Sequence, residues 1–299
     1  MSLKEQAVLV QWSCSIPSGT KRDKEITNRV AHGIHGSGQS GKKMGNYNKI
    51  IVHNDYLRPF RTVRSGIEDH IRDWTVPWLT NLDLLPSKHI MDFSKFFRDE
   101  KSRWDAKIQW LSEKYPDEVQ EEAKKRLMSE DGSQSAFRDD DYLDRDSFLA
   151  RFSLGMRFIP VSDADDLDIR VHVGEAQEEV IRNFVRADME KELLDTHKEL
   201  CMRIKKHVTH MRDIVSKDSK IFETMVQGVS RLAETIPALN FTGDPILDDI
   251  AQDIHNELTV DSNVLRNSDS VKSRVQTKAD EILRKLGKIN VTREEAGSL

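Results

Sequence analysis

Residues 175–215 contain neither proline nor glycine. Their apolar residues recur in steps of three and four, which places them on one stripe of an α-helix with His197 on the same line. The stripe consists of Leu193, Leu200, Ile204, Val208, Met211 and Val215. A helix of this length would span roughly 60 Å at 1.5 Å per residue. One narrow stripe cannot form a core alone, so the pattern predicts one arm of a long, coiled-coil-like stalk.

Three short segments alternate apolar and polar residues and predict β-strands. They lie at 7–12, 152–161 and 168–173. We expect the last two to form a hairpin that pairs with the N-terminal strand. The resulting antiparallel sheet would be small and would cap one end of the stalk.

Helical periodicity also appears at 56–74, 88–115 and 117–128, and again between 222 and 286. The helices at 88–128 are the expected antiparallel partner of the long helix. The predicted fold class is therefore helix-dominated α+β with a C-terminal helical bundle. The expected division is 1–173 for the α+β part and first stalk helices, 174–216 for the stalk helix, 217–290 for the bundle and 291–299 for a tail.

Charge is distributed unevenly along the chain, whose formal net charge is −5. Residues 1–64 carry eleven Lys or Arg against four Asp or Glu, and residues 129–146 form a polar, acidic connection. A basic segment on an acidic body is typical of proteins that contact an anionic partner. Six of these basic residues lie in a glycine-rich passage at about 18–48, which predicts a mobile loop.

Nucleic acid is the anionic partner that this passage fits best, because Lys and Arg neutralise phosphates and an exposed aromatic ring can stack on an unpaired base. Single-stranded DNA is favoured. The candidate nucleic-acid-binding residues are Lys21, Arg22, Lys24, Arg29, Lys42, Lys43, Tyr47 and Lys49. A solvated loop without a ligand fits the same residues equally well.

Residues 36–43 spell GxxxxGK, the core of a phosphate-binding P-loop. That motif needs a Ser or Thr after the lysine and a strand–loop–helix setting. Here Lys43 takes the Ser/Thr position and the residues before the motif are polar, so we expect no nucleotide cofactor.

The remaining candidate sites lack the partners that their chemistry requires. Aspartates at 163–168 have no glutamate or lysine in a nuclease pattern, and those at 139–146 lack the glycine and glutamate of a calcium loop. His197 and Cys201 lie one helical turn apart without further zinc ligands, so both are expected in the stalk core. The sequence indicates no metal, no catalytic residue and no enzyme.

Several short patterns together resemble the bacterial, phage and mobile-element family catalogued as domain of unknown function 3150. They are a strand ending in Trp12 before a lysine-rich loop and Lys49, WTVPW at 74–78 with LLP at 84–86, EKYP at 113–116, RFS at 151–153 with FIPV at 158–161, NFTGDP at 240–245 and ADEIL at 279–283. The resemblance covers nearly the whole chain. It implies one family unit without assigned catalytic residues, and it points to DNA metabolism or to an AAA-type ATPase partner.

These observations favour a non-enzymatic nucleic-acid-binding accessory protein of phage or mobile-element DNA metabolism, in recombination or replication. The alternative is a scaffold or adaptor that docks on an AAA-type ATPase through the stalk or the C-terminal helices. A homo-oligomer is compatible with either. The sequence has no apolar run long enough for a membrane span and no signal-peptide pattern, and its two cysteines are far apart. We therefore expect no membrane partner and a cytoplasmic location in a bacterial host cell.

Overall fold

The computed structural model describes residues 2–35, 45–128, 135–162, 175–217 and 220–296. Contacts divide the chain into two compact units that interleave along the sequence. Unit one comprises Met1–Gln11, Asp69–Phe93 and Arg157–Leu299, and unit two comprises Trp12–Glu68 and Ser94–Met156. The sequence predicted domains of consecutive residues, whereas each unit gathers segments that are distant in the chain.

Helices dominate the described residues. They are α1 Leu3–Gln6, α2 Lys24–His35, α3 Asn54–Trp74, α4 Ile90–Lys114, α5 Asp117–Leu127, α6 Arg145–Leu149, α7 Glu175–Ser216, α8 Glu223–Leu239, α9 Pro245–Asp253, α10 Ser262–Asn267 and α11 Asp269–Ala296. Helix α7 is the long helix predicted from periodicity, and α11 continues into the segment expected to be a tail.

The strands are β1 Ala7–Ser15, β2 Thr20–Arg22, β3 Asn48–Ile50, β4 Val76–Leu79, β5 Leu82–Pro86 and β6 Ser153–Pro160. One sheet has the order β4-β5-β1-β6, and β2 and β3 form a separate antiparallel pair. Strand β1 pairs antiparallel with β5, with Ala7 opposite Pro86 and Val10 opposite Asp83. The fold is helix-dominated α+β with a small antiparallel sheet, as predicted, and the strand predicted at 168–173 lies outside the described residues.

In unit one, the C-terminal half of α7 supplies a continuous apolar ridge. Its residues Leu200, Ile204, Val208, Met211 and Val215 are at most 4% exposed. Helix α7 packs against α11, α8 and strand β4. The predicted stripe is therefore confirmed, but the packing partners differ from the expected helices at 88–128.

The interior of unit two contains a cluster of five aromatic rings. Phe60 of α3 meets Trp104 of α4 edge to face, with ring centroids 5.0 Å apart, and meets Phe152 at 4.6 Å. Phe148 of α6 lies 5.4 Å from Phe152 and stacks on Tyr115 at 4.1 Å. Edge-to-face and offset contacts of this kind add stability beyond the apolar area that the rings bury.

Candidate functional site

The candidate site begins at the antiparallel pair of β2 and β3, between which helix α2 lies in the sequence; we call this pair the hairpin. In its register Thr20 lies opposite Ile50, Lys21 opposite Lys49 and Arg22 opposite Asn48. Gly19 lies just before β2, and it extends the pairing beyond the end of β3. Its carbonyl accepts hydrogen bonds from the N–H groups of residues 51 and 52 at 2.9 and 3.0 Å. A glycine is required there, because its φ is +74° and a Cβ atom would lie 2.6 Å from the Val52 carbonyl oxygen.

Two lysines face each other across this hairpin, and like charges in that position are destabilising on their own. Asp141 lies against both of them: its carboxylate is 3.1 Å from the Lys21 Nζ and forms an ion pair with Lys49. Lys49 Nζ is also 3.1 Å from an Asp23 carboxylate oxygen and donates a hydrogen bond to the Ala136 carbonyl at 2.7 Å. We call Lys21, Asp23, Lys49 and Asp141 the Lys49 cluster.

The centre of this cluster is buried. The side chains of Lys49 and Asp23 are 2% and 1% exposed, and that of Asp141 is 9% exposed. The formal charges of the four members cancel, which is the condition for keeping charges away from water. The cluster is therefore a structural ionic core.

Asp23 also begins helix α2. Its carboxylate accepts a hydrogen bond from the Ile26 N–H at 2.9 Å, and its backbone N–H donates to the Tyr47 carbonyl at 2.9 Å. Burial alone would raise the pKa of Asp23, but the Ile26 N–H and the Lys49 ammonium hold this pKa below its usual value. The carboxylate is thus ionised at neutral pH.

The basic segment and the acidic connection, which the sequence analysis treated as separate loops, pair with each other. Two contacts add to those of the Lys49 cluster. Arg138 forms an ion pair with Glu25, and Lys21 donates a hydrogen bond to the Asp140 carbonyl at 3.3 Å. Part of the positive charge of residues 1–64 is therefore neutralised inside unit two. Strands β2 and β3 and helix α2 lie in the region that was expected to be a mobile loop.

The structure distributes the predicted nucleic-acid-binding residues over three settings. Lys21, Arg22, Lys24 and Arg29 are exposed, and Tyr47 is 43% exposed. Lys42 and Lys43 lie outside the described residues, as do the P-loop pattern at 36–43 and the aspartates at 163–168. Lys49 does not fit the prediction, because its buried ammonium is held by two carboxylates and a carbonyl.

The exposed face of the hairpin has a defined composition. Since side chains alternate along a strand, Thr20 and Arg22 of β2 share a face with Asn48 and Ile50 of β3. All four are exposed. We call these four residues the hairpin outer face.

A cavity of about 540 Å³ lies beside the hairpin in unit two. Its polar side chains include those of Ser15, Ser18, Thr20, Lys21, Asp141, Arg151 and Ser153. Its apolar wall includes Ile51, Val52, Tyr115, Leu143 and Phe148. A concave, partly apolar space with a few converging polar groups is the usual form of a small-ligand site.

The wall of this cavity is held rigidly. The Tyr115 hydroxyl donates to the Leu143 carbonyl at 2.8 Å, and Arg145 Nε donates to the Tyr115 carbonyl at 2.7 Å. Burial raises the pKa of Tyr115, and the nearby charge of Arg151 partly offsets that rise. The sequence analysis did not single out Tyr115 or Arg151 as site residues, although both lie in short motifs of the family resemblance.

Unit one contains a second polar cluster, around His197 of α7. Its Nδ1 lies 2.9 Å from the Thr242 hydroxyl, and its Nε2 lies 3.6 Å from an Asp244 carboxylate oxygen. Asp244 in turn caps α9 by accepting from the Ile246 N–H at 2.9 Å. His197 is 4% exposed, as expected for a residue of the helix core. Its contacts fasten α7 to the turn before α9.

In the described ranges, no group of three or more His, Cys, Asp or Glu side chains is arranged to hold a metal ion. None of the helices in those ranges is both long and apolar enough to cross a membrane. No protein-family model, curated protein or solved structure matches this chain.

Proposed function

We propose that the protein is a non-enzymatic accessory protein of phage or mobile-element DNA metabolism, and that unit two binds single-stranded nucleic acid. The observation that carries this proposal is the hairpin outer face, where Arg22 is exposed on a two-stranded ribbon. The exposed Lys24 lies two residues after Arg22, and the exposed Tyr47 directly precedes Asn48, which is opposite Arg22. Exposed cations contact phosphates, and an exposed aromatic ring stacks on bases of any sequence. The context of DNA metabolism comes from the family resemblance.

The Lys49 cluster narrows the set of phosphate contacts. Lys49 is buried and Lys21 is paired with Asp141, so neither is a phosphate contact in this proposal. Arg22, Lys24 and Arg29 are exposed and remain part of it. Lys42 and Lys43 belong to the same proposal. Because these contacts reach phosphates and not base edges, binding should show little sequence preference.

The test uses the anisotropy of a labelled, 5′-hydroxyl oligothymidylate at several salt concentrations. Each phosphate contact to a single strand contributes about 0.7 to the slope of log affinity against log salt. The change Arg22→Ala with Lys24→Ala should therefore flatten the slope by about 1.4. The matched control is Lys95→Ala with Arg98→Ala, which removes the same charge from exposed positions on α4 and should leave the slope unchanged. Absence of binding at low salt, or an equal effect of both variants, contradicts the proposal.

Tyr47 supplies an independent test of the same interface. Its backbone is anchored, since its N–H donates to the Thr27 hydroxyl at 3.0 Å and its carbonyl accepts from Asp23. Tyr47→Leu should therefore preserve the fold and remove base stacking, which is worth about 1–3 kcal/mol per base. The expected result is a lower affinity at every salt concentration with the slope unchanged, and an unaltered affinity excludes stacking at this position.

A second candidate function is an adaptor for an AAA-type ATPase. The observation that favours it is the N-terminal half of α7, where Val180 is 68% exposed, Ile181 37% and Phe184 73%. Residues three and four apart on a helix are neighbours, so these side chains form one apolar patch. Capture of a purified ATPase that is lost in Val180→Ser with Phe184→Ser, without any affinity for DNA, would favour the adaptor over the nucleic-acid function.

A further inference from the structure

We infer that the cavity of unit two binds a phosphate monoester attached to an organic group, such as a nucleoside monophosphate. The ligand is either a free nucleotide or the 5′-terminal residue of a strand, and the second form rests on the proposed function. Nothing in the sequence analysis assigned a ligand to this cavity. Three properties of the cavity support this ligand: the charge of the lining residues, the volume, and a wall that is polar on one side and apolar on the other.

The charge of the lining favours an anion. Lys21 and Asp141 both line the cavity, and both belong to the Lys49 cluster, whose formal charges cancel. Arg151 adds a positive charge to that neutral arrangement. Within the part of the chain that the structure describes, no carboxylate lies at ion-pair distance from Arg151. The guanidinium is therefore available to a ligand at the edge of the cavity.

The kind of anion follows from the donors and from the size of the net charge. A guanidinium binds phosphate oxygens through paired hydrogen bonds. The hydroxyls of Ser15 and Ser153 line the same space and are further donors. A phosphate monoester carries about −1.5 to −2 at neutral pH. This charge suits one available guanidinium with hydroxyl donors beside it, whereas a triphosphate would need more cations than this lining has.

Volume and apolar surface indicate that the ligand is more than inorganic phosphate. The cavity of about 540 Å³ is within the range of sites for small organic ligands, roughly 300–1,000 Å³. Ile51, Val52 and Leu143 form part of its wall. Inorganic phosphate would leave that apolar surface against water, whereas a nucleoside would cover it.

The first experiment titrates the full chain with dTMP, thymidine and inorganic phosphate by calorimetry. We expect dTMP to bind at least tenfold more tightly than either thymidine or phosphate alone, because only dTMP uses both sides of the cavity. This comparison uses the unaltered protein and so does not depend on the folding of a variant. Equal affinity for dTMP and thymidine would overturn the inference, as would the absence of dTMP binding.

The second experiment asks whether Arg151 holds the phosphate. Arg151→Gln keeps a polar side chain at an exposed position and removes the positive charge, and we expect dTMP affinity to fall by about tenfold or more while thymidine binding stays the same. The matched control is Arg157→Gln, at an exposed arginine of strand β6 outside the cavity lining, which should have no effect. Unchanged dTMP affinity in Arg151→Gln would also overturn the inference.

The third experiment separates the two sources of the ligand and keeps this inference distinct from the proposed function. It compares 5′-phosphorylated and 5′-hydroxyl oligothymidylate in the unaltered protein and in Arg151→Gln. A preference for the 5′-phosphate that disappears in Arg151→Gln identifies a strand end, and dTMP binding without such a preference identifies a free nucleotide. If dTMP binds and the 5′-hydroxyl strand shows no salt-dependent binding, the proposed function fails while the cavity assignment stands.

Discussion

The two units of the molecule are stabilised by interiors of different chemistry. Unit one is held by an apolar ridge on α7, in which Leu200, Ile204 and Val208 follow one another at helical spacing. Unit two contains a cluster of aromatic rings and a buried ionic cluster. The central residues of the ionic cluster, Lys49 and Asp141, are 92 positions apart in the sequence. The first interior follows from a local pattern, whereas the second exists only after distant segments meet.

This difference determines how each unit should respond to a single change. Removing part of an apolar side chain costs the transfer free energy of the lost atoms and leaves a cavity. Removing one member of a buried ionic group leaves its partners charged and away from water, which costs more. Salt and pH should therefore change the cost of a substitution in the ionic cluster, and not the cost of a substitution in the apolar ridge.

The largest effect is expected from Lys49→Ala, which leaves the carboxylates of Asp23 and Asp141 without their shared ammonium. Breaking a buried ion pair on one side costs about 3–5 kcal/mol, so the amides of unit two should lose most of their protection against hydrogen exchange. The matched control is Lys24→Ala, an exposed lysine nearby, for which we expect a change within about 0.5 kcal/mol.

The stability lost in Lys49→Ala should depend on pH. Asp23 has a folded-state pKa below the value of about 3.9 for an unfolded chain. The stability that it contributes is present above that value and is lost as pH falls through the folded-state pKa. The cost of Lys49→Ala should therefore shrink in acid, once the carboxylates are protonated. A cost that is constant between pH 7 and pH 3 would show that the cluster is not ionic in origin.

The sequence predicted the interior of unit one well, because its information is contained in the spacing of residues within single helices. Val275, Ile282 and Leu286 of α11 are another example, since their spacing predicted one face and all three are buried. The packing partners of α7 could not be predicted in the same way. Spacing shows that a face is apolar but does not identify the face that covers it.

The candidate site was predicted only in part, for the same physical reason. The exposed Arg22, Lys24 and Tyr47 were found because all three belong to one segment rich in positive charge. The burial of Lys49 depends in part on the Asp141 carboxylate, which belongs to a 3₁₀ turn at Asp139–Asp141. From the sequence this turn was interpreted as part of an acidic linker. Arg151 gave no chemical signal of its own, since its importance comes from the cavity that surrounds it.

An effect of intermediate size on stability is expected in unit one from Asp83→Asn. Burial raises the pKa of Asp83 to about 6, and the Arg203 guanidinium offsets part of that rise. Between the unfolded value of about 3.9 and pH 6, the folded state binds a proton that the unfolded state releases. Asp83 therefore lowers stability as pH rises through this window, by on the order of 2–3 kcal/mol.

His70 changes the stability of unit one with pH in the opposite direction to Asp83. Burial lowers its pKa to about 4, against about 6.5 in an unfolded chain, so unit one loses stability as pH falls from 6.5 toward 4. In the unaltered protein these two titrations offset each other. Asp83→Asn should leave the His70 contribution unopposed, so that unit one becomes markedly less protected against hydrogen exchange at pH 4.5 than at pH 7. A pH profile unchanged by the substitution would mean that Asp83 titrates normally.

The smallest effect is expected from Ile204→Val on α7, at the centre of the apolar ridge, where Ile204 is 0% exposed. Removing one buried methylene from a well-packed interior costs about 0.5–1.5 kcal/mol. Because no charge is involved, the cost should be the same at pH 5 and pH 7 and in low and high salt, in contrast to Lys49→Ala. Met202→Ala is the control on the same helix, since Met202 is 58% exposed and its loss should change stability by less than about 0.5 kcal/mol. The measurement is the free energy of opening from hydrogen exchange of α7 amides, and a loss for Ile204→Val that varies with salt would show that the interiors of the two units do not differ as argued.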